Sequence, residues 1–419
     1  MRGWGGPWSR GRIAAVAAAS IIAVAFSVVR GLHEQVGGDF HVFWQAGRNF
    51  FTGAPLYHGD LPGARNFIYP PFAAFVFQAL ALLPLQVAAS IFSCLNVALW
   101  VGAAYLTRDI VARTFPNYNP ARLPFVLALV FSAQFFLNNF NLVQVNEVIF
   151  VLTLLGIRAA LREREVEAAV WFVVATAIKL TPAFFVLWLL LRGRRRALLA
   201  VPPAALACVV VPLLVRGPTR GIAELEEYHR SFLQGPQRGE VGTGITNQDL
   251  GALVYRMLRP SDNPERLSYQ YLAASPETTA RIYRIAAGLL LVAFLASLAM
   301  ARSRGATISA FELSTVFLIS HLLSPITRTS HLVTLLFVFY TFLTIPRAVL
   351  PRGDQVLVAA LWILIAAAGS SGRDLLGRTA YHYAGGYSLV AWTMLALFVA
   401  AVARVPRPPR VPSLAAAPP

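Results

Sequence analysis

The chain has 419 residues, of which 57% are hydrophobic and only 13% charged, with a formal net charge of +17. A water-soluble protein of this length carries about twice that charged fraction, so a large soluble domain is excluded. The positive charge is spread over short loops between apolar runs, which is the pattern of the positive-inside rule and argues against a nucleic-acid groove.

The apolar runs have the length needed to cross a hydrocarbon core about 30 Å thick. Ile13–Val29, Val87–Tyr105, Ala197–Val215, Ile285–Met300 and Val356–Ala368 are the clearest. The runs are continuous rather than alternating, which excludes a β-barrel and leaves helices as the way to satisfy the backbone in lipid. The expectation is an all-α integral membrane protein, polytopic, with about 10–13 membrane segments. The first run follows Arg2, Arg10 and Arg12 and is long enough to span, so it reads as an uncleaved anchor. Cys94 and Cys208 lie in apolar runs and read as small buried hydrophobes, not as a disulfide or a metal site.

Arginine-rich loops are expected to face the cytoplasm: the N-terminus, Arg192–Arg196, Arg302–Arg304, Arg347–Arg352 and the tail from Arg404 to Arg410. The two long polar excursions, 31–69 and 216–281, then face outward, with shorter outward segments at Ser324–His331 and Ser371–Tyr387. Lys179 is the sole lysine in the chain. Pro182, three residues after it, removes a backbone donor, so Ala168–Leu191 is expected to form two half-length helices breaking at Lys179–Pro182. Such a break is tolerated at membrane depth only where it is buried or lines a polar cavity. A plain spanning helix is the other reading, and it would flip the intervening loops.

Asp39 lies in the first outward loop, close after the first span and before Trp44, and Tyr69 closes that loop. A carboxylate there is a candidate general base for an acceptor hydroxyl, or a simple cap for the short helix that follows. Asn141, Gln144 and Asn146 belong to a run of neutral amides, suited to sugar hydroxyls because each amide both donates and accepts. They also suit plain helix-to-helix hydrogen bonding. Lys179 is an intramembrane cation, able to meet a phosphate as a point charge. Asn247 and Gln248 form a polar segment followed by Arg256 and Arg259, a weak signal in an outward loop. His321, Arg328 and His331 surround a proline-broken turn, either as acid–base and phosphate-binding groups or as a solvated connection. No Walker loop, dinucleotide fingerprint, zinc-protease helix or nucleophile elbow occurs.

In their order, these blocks resemble glycosyltransferase family 87 (GT87), polyprenyl-phosphate-dependent enzymes that include mycobacterial α-1,2-mannosyltransferases. The carriers are Gly38-Asp39-Phe40 with Trp44, Ala46-Gly47 and Tyr69-Pro70-Pro71; Asn141 through Gln144 and Asn146; Lys179 to Pro182; and Leu323 to Ile326 with His331. The family shows a tryptophan and a His-His pair after Ser-Pro, where this chain has Arg328, Ser330 and His331.

The resemblance implies a GT-C type helical core over 1–345, C-terminal helices over 346–403 and a Pro/Arg-rich cytoplasmic tail over 404–419. It implies a multi-pass bacterial plasma-membrane hexosyltransferase, mannose-specific by preference, with an extracytoplasmic site serving cell-envelope glycan synthesis. Catalysis would fall to Asp39 and His331, and substrate binding to Trp44, Tyr69, Asn141, Gln144, Asn146 and Lys179; the reading of the polar loops adds Asn247, Gln248, His321 and Arg328 as substrate-binding candidates. The donor would be a polyprenyl-phosphate sugar and the acceptor a lipid or glycan, reached within membrane lipid. No metal, other cofactor or nucleic acid is expected. A transporter or flippase, which would show midplane polar residues in repeated halves, and a non-catalytic binder of lipid-linked glycan are the alternatives.

Overall fold

The computed structural model describes residues 10–57, 67–115, 121–230, 241–260, 269–347 and 350–405. Arg2 and the tail beyond residue 405 lie outside them. The helices, in order, are α1 (Arg10–Leu32), α2 (Asp39–Thr52), α3 (Pro71–Ala81), α4 (Leu85–Thr114), α5 (Arg122–Asn141) and α6 (Asn146–Leu161). Next come α7 (Glu165–Ile178), α8 (Ala183–Leu191), α9 (Arg195–Arg216), α10 (Pro218–Tyr228), α11 (Leu250–Leu258) and α12 (Pro276–Ser303). Then α13 (Ala310–Leu322), a 3-10 turn (Thr329–Thr334) running into α14 (Leu335–Leu343), α15 (Arg352–Gly369), α16 (Arg373–Gly386) and α17 (Leu389–Val402) complete the chain.

The fold is the expected all-α polytopic one, but with fewer full-length crossings than the apolar runs suggest. Among the described residues six helices (α1, α4, α5, α9, α12 and α15) are long and apolar enough to cross a membrane, or seven if the bent pair α16–α17 counts as one. The difference has a physical cause. Every residue of α13 and of α14 is buried in the bundle. A helix apolar all round is the mark of burial in protein as much as of lipid exposure. The lipid-facing helices look different: α1 and α9 leave Ile21, Ile22, Leu199 and Leu206 exposed.

Two helical hairpins shape the interior. α7 ends at Lys179, which takes an extended conformation (φ −152°, ψ 130°), and α8 starts after Pro182. Phe172 stacks on Phe185 at 5.5 Å and lies 6.2 Å from Trp188. A continuous helix rising 1.5 Å per residue would hold these rings about 20 Å apart. The chain therefore doubles back at Lys179–Pro182. The bases of the hairpin are tied together: Arg194 pairs with Glu165 at 3.6 Å, and the Arg196 backbone N–H donates to the same carboxylate.

α13 and α14 form the second hairpin, with Phe317–Phe337 and Phe311–Phe342 contacts at 5.2 and 5.6 Å. Its base is locked to the first hairpin by a buried ion pair between Arg192 and Glu312. The Glu312 carboxylate also accepts from Trp188 Nε1 at 2.6 Å, and Arg192 donates to the carbonyls of Ala306 and Thr307. Among the described residues, Arg192, Arg194 and Arg302 gather at the bases of these hairpins, and the tips of both hairpins point the other way.

The segment carrying α2 and α3 packs as a separate aromatic cluster around Phe40, Phe43, Phe77 and Phe92. Gly47 lets it seat: a Cβ there would lie 2.6 Å from the Phe77 carbonyl oxygen. This close approach fixes α2, and with it Asp39, against α3.

Candidate active site

Asp39 is the first residue of α2 and is buried. Gln144 Nε2 donates to its Oδ2 at 2.7 Å, while Gln144 Oε1 is buried without a hydrogen-bond partner. Asn139 Nδ2 donates to the Gln144 carbonyl at 3.4 Å, and Asn146 Nδ2 donates to Asn139 Oδ1 at 2.9 Å. Asn146 Oδ1 in turn accepts from Lys179 Nζ at 2.7 Å. A continuous polar thread therefore joins the carboxylate of the first loop to the ammonium at the tip of the first hairpin. Burial makes these amide bonds stronger and their loss costlier than in water.

Lys179 Nζ also lies 5.9 Å from the centre of the Tyr69 ring, a cation–π contact. Burial pushes the Tyr69 phenol up, while the charge of the Arg328 guanidinium pulls the other way. Arg328 itself is exposed.

The tips of the two hairpins enclose a cavity of about 30 Å³ lined by Asn146, Lys179, Thr181, His321, His331 and Thr334, among others. That is room for ordered water, with polar groups from both hairpins set among Ile149, Phe185 and Phe317. His321 Nε2 is 2.6 Å from Thr334 Oγ1, and its Nδ1 is buried with no hydrogen-bond partner. His331 Nδ1 accepts from the Arg328 backbone N–H at 3.3 Å, which orients the ring at the start of the 3-10 turn.

Other candidates stand apart from this centre. Trp44 Nε1 donates to the Leu83 carbonyl at 2.9 Å and its ring stacks on His41, so it anchors α2 on the α3–α4 turn. Asn141 is exposed, and its carbonyl is clamped by Arg30. The residue that joins the thread is Asn139, two positions earlier. Its signal is the spacing of the buried face of α5: Ala128, Ser132, Phe135 and Asn139.

Asn247 and Gln248 hold the second hairpin's tip rather than pointing into the cavity. Asn247 Oδ1 accepts from Thr327 N at 2.8 Å, and the Gln248 N–H donates to the Thr327 carbonyl at 2.7 Å. Gln248 Nε2 donates to the carbonyls of Ile245 and Gly385. Arg256 is buried and donates to the carbonyls of Thr243, Gly244 and Asn247 and to Ser388 Oγ. Burial pushes its guanidinium down to about 10, with Asp249 opposing the shift. The Asp249 carboxylate, raised by burial to about 6, caps α11 through Ala252 N.

Beside the Lys179 tip runs an apolar groove of about 490 Å³ between α7–α8, α9 and α10. Leu180, Thr176 and Ala177 border it at the tip, and Val186, Leu190, Val209 and Leu213 line its length. Arg216 borders the groove but is engaged: it pairs with Glu224 and donates to the carbonyls of Asn49, Phe50 and Ala54.

The family model described as Glycosyltransferase family 87 matches residues 67–325. That range takes in Tyr69, the amide run, Lys179 and His321, and leaves Asp39, Arg328 and His331 outside it. A curated relative from Mycolicibacterium smegmatis, described as a polyprenol-phosphate-mannose-dependent alpha-(1-2)-phosphatidylinositol mannoside mannosyltransferase, is 29% identical over 239 residues. The similarity covers 52% of this chain and 52% of the relative, so the chain spans about half the length of the relative it matches. No solved structure matches the chain.

Proposed function

The chain belongs to glycosyltransferase family 87, and on that premise we propose that it transfers a hexose, mannose in our reading, from polyprenyl phosphate to a hydroxyl of a lipid or glycan acceptor. The observation that carries this reading is the polar thread from Asp39 through Gln144, Asn139 and Asn146 to Lys179. It sets a carboxylate and an ammonium at two ends of one amide-lined site. The mannose and the lipid phosphate are supported by what the mycobacterial relative is described as using. The arginines at the bases of the two hairpins support an extracytoplasmic site in the plasma membrane.

The donor's prenyl chain lies in the apolar groove, whose walls offer hydrocarbon contact, and its phosphate reaches the groove end at Lys179. Arg328, exposed on the turn that carries His331, adds a second cation. The acceptor hydroxyl lies against Asp39, where Gln144 Oε1 offers a further hydrogen-bond acceptor. As the hydroxyl oxygen attacks the anomeric carbon, its proton passes to the Asp39 carboxylate and the bond from that carbon to the phosphate oxygen breaks. The electron pair leaves with polyprenyl phosphate, whose charge Lys179, Arg328 and the His331 side of the cavity stabilise. A single displacement inverts the anomeric configuration.

Incubating membranes that contain the protein with radiolabelled polyprenyl-phosphate mannose, glucose or arabinose tests the reading. Label should move to a lipid or glycan product from the mannosyl donor. Absence of transfer from all three would overturn it. Within the same assay, Lys179→Gln should raise the apparent KM for the lipid donor about ten- to hundred-fold and leave the acceptor KM near its original value. An unchanged donor KM would make Lys179 a structural residue.

A further inference from the structure

At the same end of the bundle as the His331 turn lies a group of aromatic side chains that the transfer chemistry leaves unused. Tyr269 packs edge-on against Tyr387 at 5.1 Å, Tyr271 lies 5.9 Å from Tyr387, and Tyr383 and Tyr387 are parallel at 6.3 Å. Three of these rings are exposed on the protein surface: Tyr271 is 61% exposed, Tyr383 43% and Tyr387 41%. They are nevertheless held in place. Tyr269 OH donates to the His382 carbonyl at 2.9 Å, and the Tyr269 ring fills the space that a side chain at Gly386 would need.

The same unit is wired to the reaction centre. Gln248 joins the Gly385 carbonyl to the Thr327 segment, and Tyr381 lies beside the Thr329 side chain, two residues from His331. α16 carries Arg373 and Arg378, both exposed, against a single carboxylate, Asp374.

We infer that this tyrosine bank with α16 is the acceptor-binding platform, holding a glycan chain over Tyr383 and Tyr387 while Arg373 and Arg378 meet a phosphate on its lipid anchor. The inference rests on the transferase reading and extends it to the second substrate. The chemistry fits on three counts. The C–H face of a pyranose is apolar and slightly positive, and a phenol ring presents a negative face to it. Phenol hydroxyls donate and accept at the ring edge, as sugar hydroxyls do. An ordered bank of aromatic rings loses little conformational freedom on binding. Position agrees as well: the apolar groove meets the centre at Leu180, whereas the platform meets it at Thr329. Donor and acceptor then approach from different sides and need not displace one another.

The test uses the full chain purified in detergent, with a Tyr383→Ala/Tyr387→Ala double variant, a Tyr383→Phe/Tyr387→Phe control and Arg373→Gln/Arg378→Gln. Binding is measured to a soluble oligomannoside, to the same glycan on a phosphodiester lipid, and to sugar-free phosphatidylglycerol vesicles. The alanine variant should bind both glycans about ten-fold more weakly, and the phenylalanine control should stay within about two-fold. The arginine variant should weaken only the lipid-linked probe. Oligomannoside binding unchanged in the alanine variant would overturn the inference. So would loss of vesicle binding as large as the loss of glycan binding, since the tyrosines would then be an interfacial anchor. Because the readout is binding, failed transfer by the wild-type protein with tyrosine-dependent glycan binding would sink the transferase reading and leave the platform standing. Active transfer with an unaltered acceptor KM in the alanine variant would do the reverse.

Discussion

Asp39→Asn should yield a folded protein whose sugar transfer has fallen by about 10²- to 10⁴-fold, the range that a positioned proton acceptor contributes. The substitution is nearly isosteric, and an asparagine Oδ1 can still accept from Gln144 Nε2, so the contact between α2 and the amide run survives. What disappears is the negative charge and the capacity to take up the acceptor's proton. Thermal unfolding should shift little, and the KM for the lipid donor should hold, because the donor's phosphate is assigned to the other end of the thread. Activity close to wild type would show that Asp39 only holds α2 to the amide run through Gln144 and that the proton goes elsewhere.

Glu312→Ala should be the most damaging single change to stability, about 3–5 kcal/mol, the cost of leaving a buried charge without its partner. Glu312 and Arg192 have side chains only 1% and 10% exposed. Removing the carboxylate strands the guanidinium on the carbonyls of Ala306 and Thr307 and frees Trp188 Nε1 of its acceptor. A substantially lower melting temperature in detergent is the expected measurement. The double variant Arg192→Met/Glu312→Leu should recover much of the loss, since an apolar pair of similar volume avoids the desolvation penalty. Additive losses in that cycle would contradict a direct coupling between the two residues.

Much of this organisation is legible in the sequence, because bilayer physics constrains it tightly. Apolar run lengths give the class, arginine placement gives the two ends, and Pro182 gives the break after Lys179. The number of crossings is not legible, since α13 and α14 are as apolar as any lipid-facing helix and hydropathy does not tell protein surroundings from lipid. Polar loops mislead for a related reason. Asn247, Gln248 and Arg256 have the composition of a ligand pocket, yet their donors and acceptors satisfy backbone groups of the loop and of the hairpin tip. Only the chain's path reveals which carbonyls lie within reach. Asn139 was legible in principle from the buried spacing of α5, whereas Asn141 lies off that face and is fixed by its own carbonyl.

The meeting of two hairpins at their tips also has a consequence for how the protein is made. Lys179 belongs to a hairpin complete by residue 191, whereas its counterparts His321 and His331 are translated more than 120 residues later. In between, α9 and α12 must be placed in the bilayer. A nascent chain halted before α13 therefore holds its lone ammonium at the end of an unfinished bundle, with Asn146 as its hydrogen-bond partner. The last helices to emerge close the cavity. In chain order, the helices that can span the membrane thus come largely before α13, and the residues of the proposed site are complete only with the C-terminal third of the chain.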